Sequence, residues 1–199
     1  LNIGFIQTLK LFFVTLIGAF PLGLIIAFGS MSRFRPLSYF TKVIVWVVRG
    51  TPLMIQLLII YYVIFQSVNT GKLFVAVIAF GLNSAAYVAE IVRSGIMAVD
   101  IGRSLGLNYK QTMLSIILPQ AVKNILPALC NEFISLLKET SISGYIGLMD
   151  LTKGGDIIRS VTYEAFMPLI AVAAIYFLIV MGLSKAVGLL ERRLRSNER

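Results

Sequence analysis

Histidine is absent from this 199-residue chain, and cysteine occurs once, at Cys130. The commonest metal ligand and general base is therefore missing, and a single cysteine excludes an internal disulfide or a cysteine-rich metal site. Neither a catalytic group nor a metal centre is expected. Charge is scarce too: 14% of the residues are charged, against about a quarter in soluble domains, whose surfaces must be wetted. With 58% hydrophobic residues and a mean hydropathy of +0.88, much of the surface must face lipid. The 18 basic residues exceed the 9 acidic ones, yet they are scattered between apolar runs. Cations on the cytoplasmic loops of a membrane protein explain that pattern better than a nucleic-acid partner does. No Gly-x4-Gly-Lys-Ser/Thr loop occurs, so the chain has no such cradle for a nucleotide of its own.

What remains is a series of apolar runs of bilayer-spanning length. They predict an all-α membrane protein of five transmembrane helices, over about 5–30, 37–66, 72–98, 120–138 and 164–188, in a single domain covering 1–199. The first run is too long for a signal peptide and lacks a small-residue cleavage site; it holds Pro21 and Gly23, which membrane helices tolerate. The second is interrupted by Arg49-Gly50-Thr51-Pro52, where Arg49 is expected to stabilise a bent helix rather than the alternative, a dimer contact. The fourth is the least apolar, with Lys123, Asn124, Asn131 and Glu132, and Pro127 should kink it. Phe12, Phe13 and Phe20 read as packing, Trp46 as an interface residue, and Tyr61 and Tyr62 as lining. Five spans place the termini on opposite sides. Arg33, Arg35, Lys42, Arg93, Arg103, Lys110 and the basic tail fall on one side, which by the positive-inside rule is the cytoplasm. The N-terminus is then external and the C-terminus cytoplasmic.

Polar residues within or beside spans are costly and usually functional. Asn83, Tyr87, Glu90 and Ser94 recur at helical spacing, with Ser84 at the edge of the same face. Asp150, Thr152, Asp156 and Glu164 cluster in and after a Gly- and Ser-rich segment running from Ser141 to Gly155. Together these residues are candidates to line a cavity whose carboxylates suit a cationic side chain. The plainer alternatives are that Glu90 pairs with Arg93, that Asp150 and Asp156 are solvated loop charges, and that Glu132 and Glu139 pair with Lys138 or hold packing.

Between the third and fourth spans, Gly106 is followed after nine residues by Ile116-Ile117-Leu118-Pro119. This resembles the cytoplasmic signature loop of bacterial ABC-importer permeases: Glu-Ala-Ala, three residues, Gly, nine residues, Ile-x-Leu-Pro. Arg49-Gly50-Thr51-Pro52-Leu53, the stretch from Asn83 to Arg93, Leu118-Pro119-Gln120-Ala121 and the stretch from Leu136 to Ser141 are similar to the polar amino-acid branch of that family. Asp100-Ile101-Gly102 falls in register with Glu-Ala-Ala, but several residues that the family carries before it are missing, because Val99-Asp100 runs straight into Ile101.

The resemblance implies the type I importer permease fold, with a cytoplasmic coupling helix in the loop at about 100–118. It implies that Asp100, Arg103, Leu105, Gly106, Tyr109, Leu118 and Pro119 couple the chain to an ATPase. It further implies a cytoplasmic dimer of ATP-binding subunits holding ATP and magnesium, with no cofactor in this chain. A second permease copy or close paralogue, an external solute-binding protein and an amino-acid substrate complete the set, in a bacterial inner membrane. Arginine, lysine or histidine suits the acidic residues; glutamine or glutamate is the alternative. A short amphipathic helix ahead of a proline-started span can carry rigid-body motion into a bundle on physical grounds alone. An ion-coupled secondary transporter would be built from internal inverted repeats, and the sequence has no evident ones.

Overall fold

The computed structural model describes residues 1–98 and 112–196. Seven α-helices occur among them. α1 (Asn2–Ser30) leads through a basic turn to α2 (Arg35–Gly50), and α3 (Leu53–Ile59) continues into a π-helical turn, Ile60–Ile64. α4 (Lys72–Met97) follows. A second π-helical turn, Met113–Ile117, opens α5 (Leu118–Glu139); then come a 3-10 helix, Thr140–Ile146, α6 (Leu151–Thr162) and α7 (Phe166–Ser196).

α1, α4 and the Phe166–Leu190 part of α7 are each long and apolar enough to cross a membrane. The α2–α3 pair passes the same test only if its two halves are taken together, and they are bent by 106° at the break. The second predicted run is thus an elbow and not a straight span. Pro52 explains the corner: it cannot continue α2 and disfavours helical backbone at Thr51, which is extended, while its fixed φ suits the entry to α3. α5 is 22 residues long and runs unbroken through Pro127. Its load of Lys123, Glu132, Lys138 and Glu139 keeps it out of the apolar class, so composition and length support three to four spans and the predicted fifth rests on α5's place in the bundle. The Gly- and Ser-rich segment is ordered as the 3-10 helix and the start of α6.

α4 is the central helix, buried along most of its apolar window, and α7 is peripheral. The most extensive packing is between α1 and α4. In a membrane, helices gain little from hiding apolar surface and associate through close packing of small residues. α1 buries Gly4, Thr8, Thr15, Ala19, Gly23 and Ala27 on one stripe, and α4 answers with Ala76, Ala79, Ala85, Ala86 and Ala89. At Gly23 an added Cβ would lie 2.5 Å from Val88 Cγ1 and 2.9 Å from the Ala85 carbonyl oxygen. The backbone oxygen cannot rotate away, so Gly23→Leu should destabilise the chain by at least about 1–3 kcal/mol. That loss would be read as a lower unfolding temperature of the purified protein in detergent.

Two apolar clusters stack along the bundle. One contains Leu11, Phe12, Leu57, Ile60, Phe80, Leu136 and Leu137. The other contains Ala27, Val45, Val88, Val92, Ala121, Ile125 and Leu129. Along α2–α3, α4 and α5 alike the chain passes from one cluster to the other through a short polar stretch: Arg49 to Gln56, Asn83-Ser84, and Asn131-Glu132.

Candidate functional site: a polar layer between two apolar cores

These stretches bond to one another. Asn83 is 3% exposed and Ser84 fully buried, on the face of α4 turned toward α3 and α5. The Asn83 amide donates to Gln56 Oε1 (3.1 Å), joining α4 to α3. Ser84 Oγ donates to Glu132 Oε1 (3.1 Å), joining α4 to α5. Glu132 is half-buried, and Ser84 is its only hydrogen-bond partner among the described residues. An ionised carboxylate removed from water needs several donors or a cation, so Glu132 retains capacity for a further partner.

One and two turns further along α4, Tyr87 and Glu90 meet Arg49 of α2. The guanidinium sits 5.1 Å over the Tyr87 ring, within cation–π reach, and 3.9 Å from Glu90 Oε1. Glu90 is also gripped by Arg93, whose Nε and Nη2 donate to its two oxygens at 3.0 and 2.5 Å. Two arginines on one carboxylate leave this end of the layer net positive. Arg49, Glu90, Arg93, Lys42 and Trp46 line a cavity of about 360 Å³ here.

The other predicted site residues stand apart. Asp150 is fully buried, and its carboxylate caps α6: it accepts from the Lys153 backbone N–H (2.5 Å), Ser143 Oγ (2.8 Å) and the Gly144 N–H (3.1 Å). Burial nevertheless pushes its carboxyl above the usual range. Thr152 lies beside it on α6 with a buried hydroxyl. Asp156 pairs with Arg159 (2.6 Å) and Lys153 (3.1 Å) on the outer side of the same helix. Arg159, then Lys153, hold its carboxyl below the usual range, so what the pairs contribute is present at neutral pH and lost as pH falls through that lowered value. Glu164 is exposed in the turn before α7. Asn83, Ser84, Tyr87 and Glu90 therefore lie along one stretch of α4, Asn83 and Ser84 bonded to α3 and α5 and the other two meeting Arg49, while Asp150 and Asp156 form a second cluster at α6; among the described residues no side-chain bond joins the two groups.

Asp150→Ala would strand three donors and uncap α6. We expect a loss of about 2–4 kcal/mol of stability, measured as a lower melting temperature.

Of the predicted coupling residues, Leu118 and Pro119 open α5, where proline costs nothing because the first helical N–H groups have no partner. Asp100, Arg103, Leu105, Gly106 and Tyr109 lie outside the described residues. Sequence reading passed over Gln56 and gave Glu132 only a packing or pairing role; a polar residue among apolar ones in each of two spans was the available signal.

Polar side chains bonded across the middle of an apolar helix bundle are costly and mark the place where a membrane protein's functional path is sought. Residues 19–196 match the family of binding-protein-dependent transport system inner membrane components, and the chain belongs to that family. It is 39% identical to the arginine transport system permease protein ArtQ of Bacillus subtilis, over 98% of this chain and 92% of that one. It is 38% identical to a putative glutamine transport system permease protein GlnP of Rickettsia bellii, over 96% and 91%. Among solved structures, it is similar to an amino acid ABC transporter crystallised with histidines: 48% identity, 96% of this chain and 92% of that chain covered, TM-score 0.90.

Proposed function

We propose that the chain is the membrane subunit of an ATP-driven importer for amino acids with basic side chains, and that Glu132, bonded to Ser84 with Asn83 and Tyr87 near Ser84 on α4, receives the substrate's cationic group. The observation that carries this reading is Glu132 itself: a half-buried carboxylate between two apolar cores, hydrogen-bonded only by Ser84 among the described residues. A cationic side chain offers such a carboxylate what the fold withholds, a charge-assisted partner. The similarity to an arginine permease and to a transporter crystallised with histidines supports the same chemistry. Glu90 is already neutralised by Arg93 and Arg49 and serves as the fixed wall of the layer. A neutral polar substrate such as glutamine is the second reading, favoured by the similarity to a glutamine permease; Glu132 would then act as a simple acceptor.

ATP and magnesium belong to a cytoplasmic pair of ATPase subunits, and a solute-binding protein delivers substrate from outside. A second permease copy or close paralogue completes the path, since five spans are too few to enclose one comfortably. The N-terminus is external and the C-terminus cytoplasmic, as the basic residues argue. Closure of the ATPase pair on ATP moves the loop that carries Gly106 and reopens the layer to the other side, which is alternating access. The test is stimulation of ATPase activity in the reconstituted complex by arginine, lysine, histidine, glutamine and glutamate in turn. Basic amino acids should stimulate most; an equal or greater response to glutamine would favour the second reading.

A further inference from the structure

The last carbonyls of any helix lack helical partners, and at the elbow two side chains supply partners for those of α2. Thr51 Oγ1 donates to the Val47 carbonyl (2.9 Å). The Gln56 carboxamide deals with the next one: Nε2 donates to the Val48 carbonyl at 2.6 Å and lies 3.0 Å from the Thr51 carbonyl and 2.8 Å from Thr51 Oγ1. Its Oε1 accepts from Asn83 of α4. One side chain thus holds the end of α2, the break and the central helix together. It needs donors and an acceptor at once, which a carboxamide has and neither a carboxylate nor an alkyl group can supply.

The carbonyl that Gln56 caps belongs to the residue just before Arg49. Arg49 in turn reaches Tyr87 and Glu90, one and two turns along α4 from Asn83. The tie, made from α3, and the arginine contacts, made from α2, thus meet successive turns of α4. Resting on the importer reading above, we propose that Gln56 is a positioning residue for transport: by capping α2 and binding Asn83 it fixes the register in which Arg49 meets Tyr87 and Glu90. Glu132 is bonded to Ser84, one turn along α4 from the Tyr87 ring that Arg49 covers. Released from its register, the guanidinium is free to swing toward that carboxylate and to compete with a cationic substrate for it.

The experiment uses the complex reconstituted with its ATPase and binding protein, with radiolabelled arginine as probe. Gln56→Leu and Gln56→Glu should each raise KM about tenfold while the maximal rate changes much less. Gln56→Glu keeps the side-chain size and the acceptor for Asn83, so it guards against a Leu variant that merely packs badly. In an Arg49→Met background the same Gln56 changes should add nothing, because the effect acts through Arg49. A second readout needs no transport. Trp46, the only tryptophan, lines the Arg49 cavity, and its emission in the purified chain should shift in both Gln56 variants but not in Ser160→Ala, at an exposed position on α6. An unchanged KM, or an equal rise in the Arg49→Met background, overturns the proposal, as does an unmoved Trp46 emission. A wild-type complex that imports no amino acid overturns the importer reading instead, and the Trp46 result still decides the role of Gln56 in placing the end of α2.

Discussion

Replacing Glu132 by glutamine is expected to weaken uptake of arginine or lysine by ten- to a hundredfold. The substitution keeps the volume and the acceptor for Ser84 and removes only the charge. A hydrogen bond to a charged group contributes about 1.5–3 kcal/mol, and each 1.4 kcal/mol is tenfold in affinity. Uptake of a neutral amino acid should change far less, because it draws on no charge. The same substitution at Glu90 serves as the contrast. Glu90 is bound by Arg93 and faced by Arg49, so its loss leaves two arginines without their carboxylate and should lower stability modestly, by about 0.5–1 kcal/mol for a partly exposed pair. Substrate preference across basic, neutral and acidic amino acids, measured in reconstituted vesicles, separates the two carboxylates. Equal loss for basic and neutral substrates in Glu132→Gln would remove charge recognition from that residue.

A bulky residue in place of Gly106 should abolish transport while leaving insertion in the membrane intact. The spacing from Gly106 to Pro119 resembles the signature loop of ABC-importer permeases, and on the coupling role proposed for it a side chain added at Gly106 would stand against the ATPase. Gly106→Trp is expected to leave substrate uptake at background and the ATPase activity unresponsive to substrate. The chain should still reach the membrane fraction in normal amount, because the spans do not include this position. Normal transport with full substrate-stimulated ATPase in this variant would move the coupling contact elsewhere.

Much of the bundle was legible from apolar run length alone. α1 and α4 begin and end within three residues of the predicted spans, because a charge-free run of bilayer length has few other folds open to it. α7 runs on past its predicted end into the basic tail, whose residues are good helix formers once the span has nucleated the helix. The 106° elbow was legible as a break at Arg49-Gly50-Thr51-Pro52 but not as an angle, since the angle is fixed by bonds from Gln56 to α2 and α4. α6 was not legible: its start depends on the Asp150 cap, and the acidic residue looked instead like a loop charge or a ligand. Helical periodicity gathered Asn83, Ser84, Tyr87 and Glu90 correctly on one stretch of α4. The Ser84–Glu132 and Asn83–Gln56 bonds join residues 48 and 27 positions apart, and no local pattern carries such a pairing.

The central claim is that this chain moves amino acids only when a separate ATPase drives it. The direct measurement is uptake of radiolabelled arginine into proteoliposomes holding the chain with its ATPase subunit, with binding protein supplied on the substrate side. Accumulation should require ATP and magnesium on the ATPase side and should stop when the ATPase is left out, whatever ion gradient is imposed. Arginine accumulation driven by a proton or sodium gradient in vesicles that contain this chain and no ATPase would contradict the account.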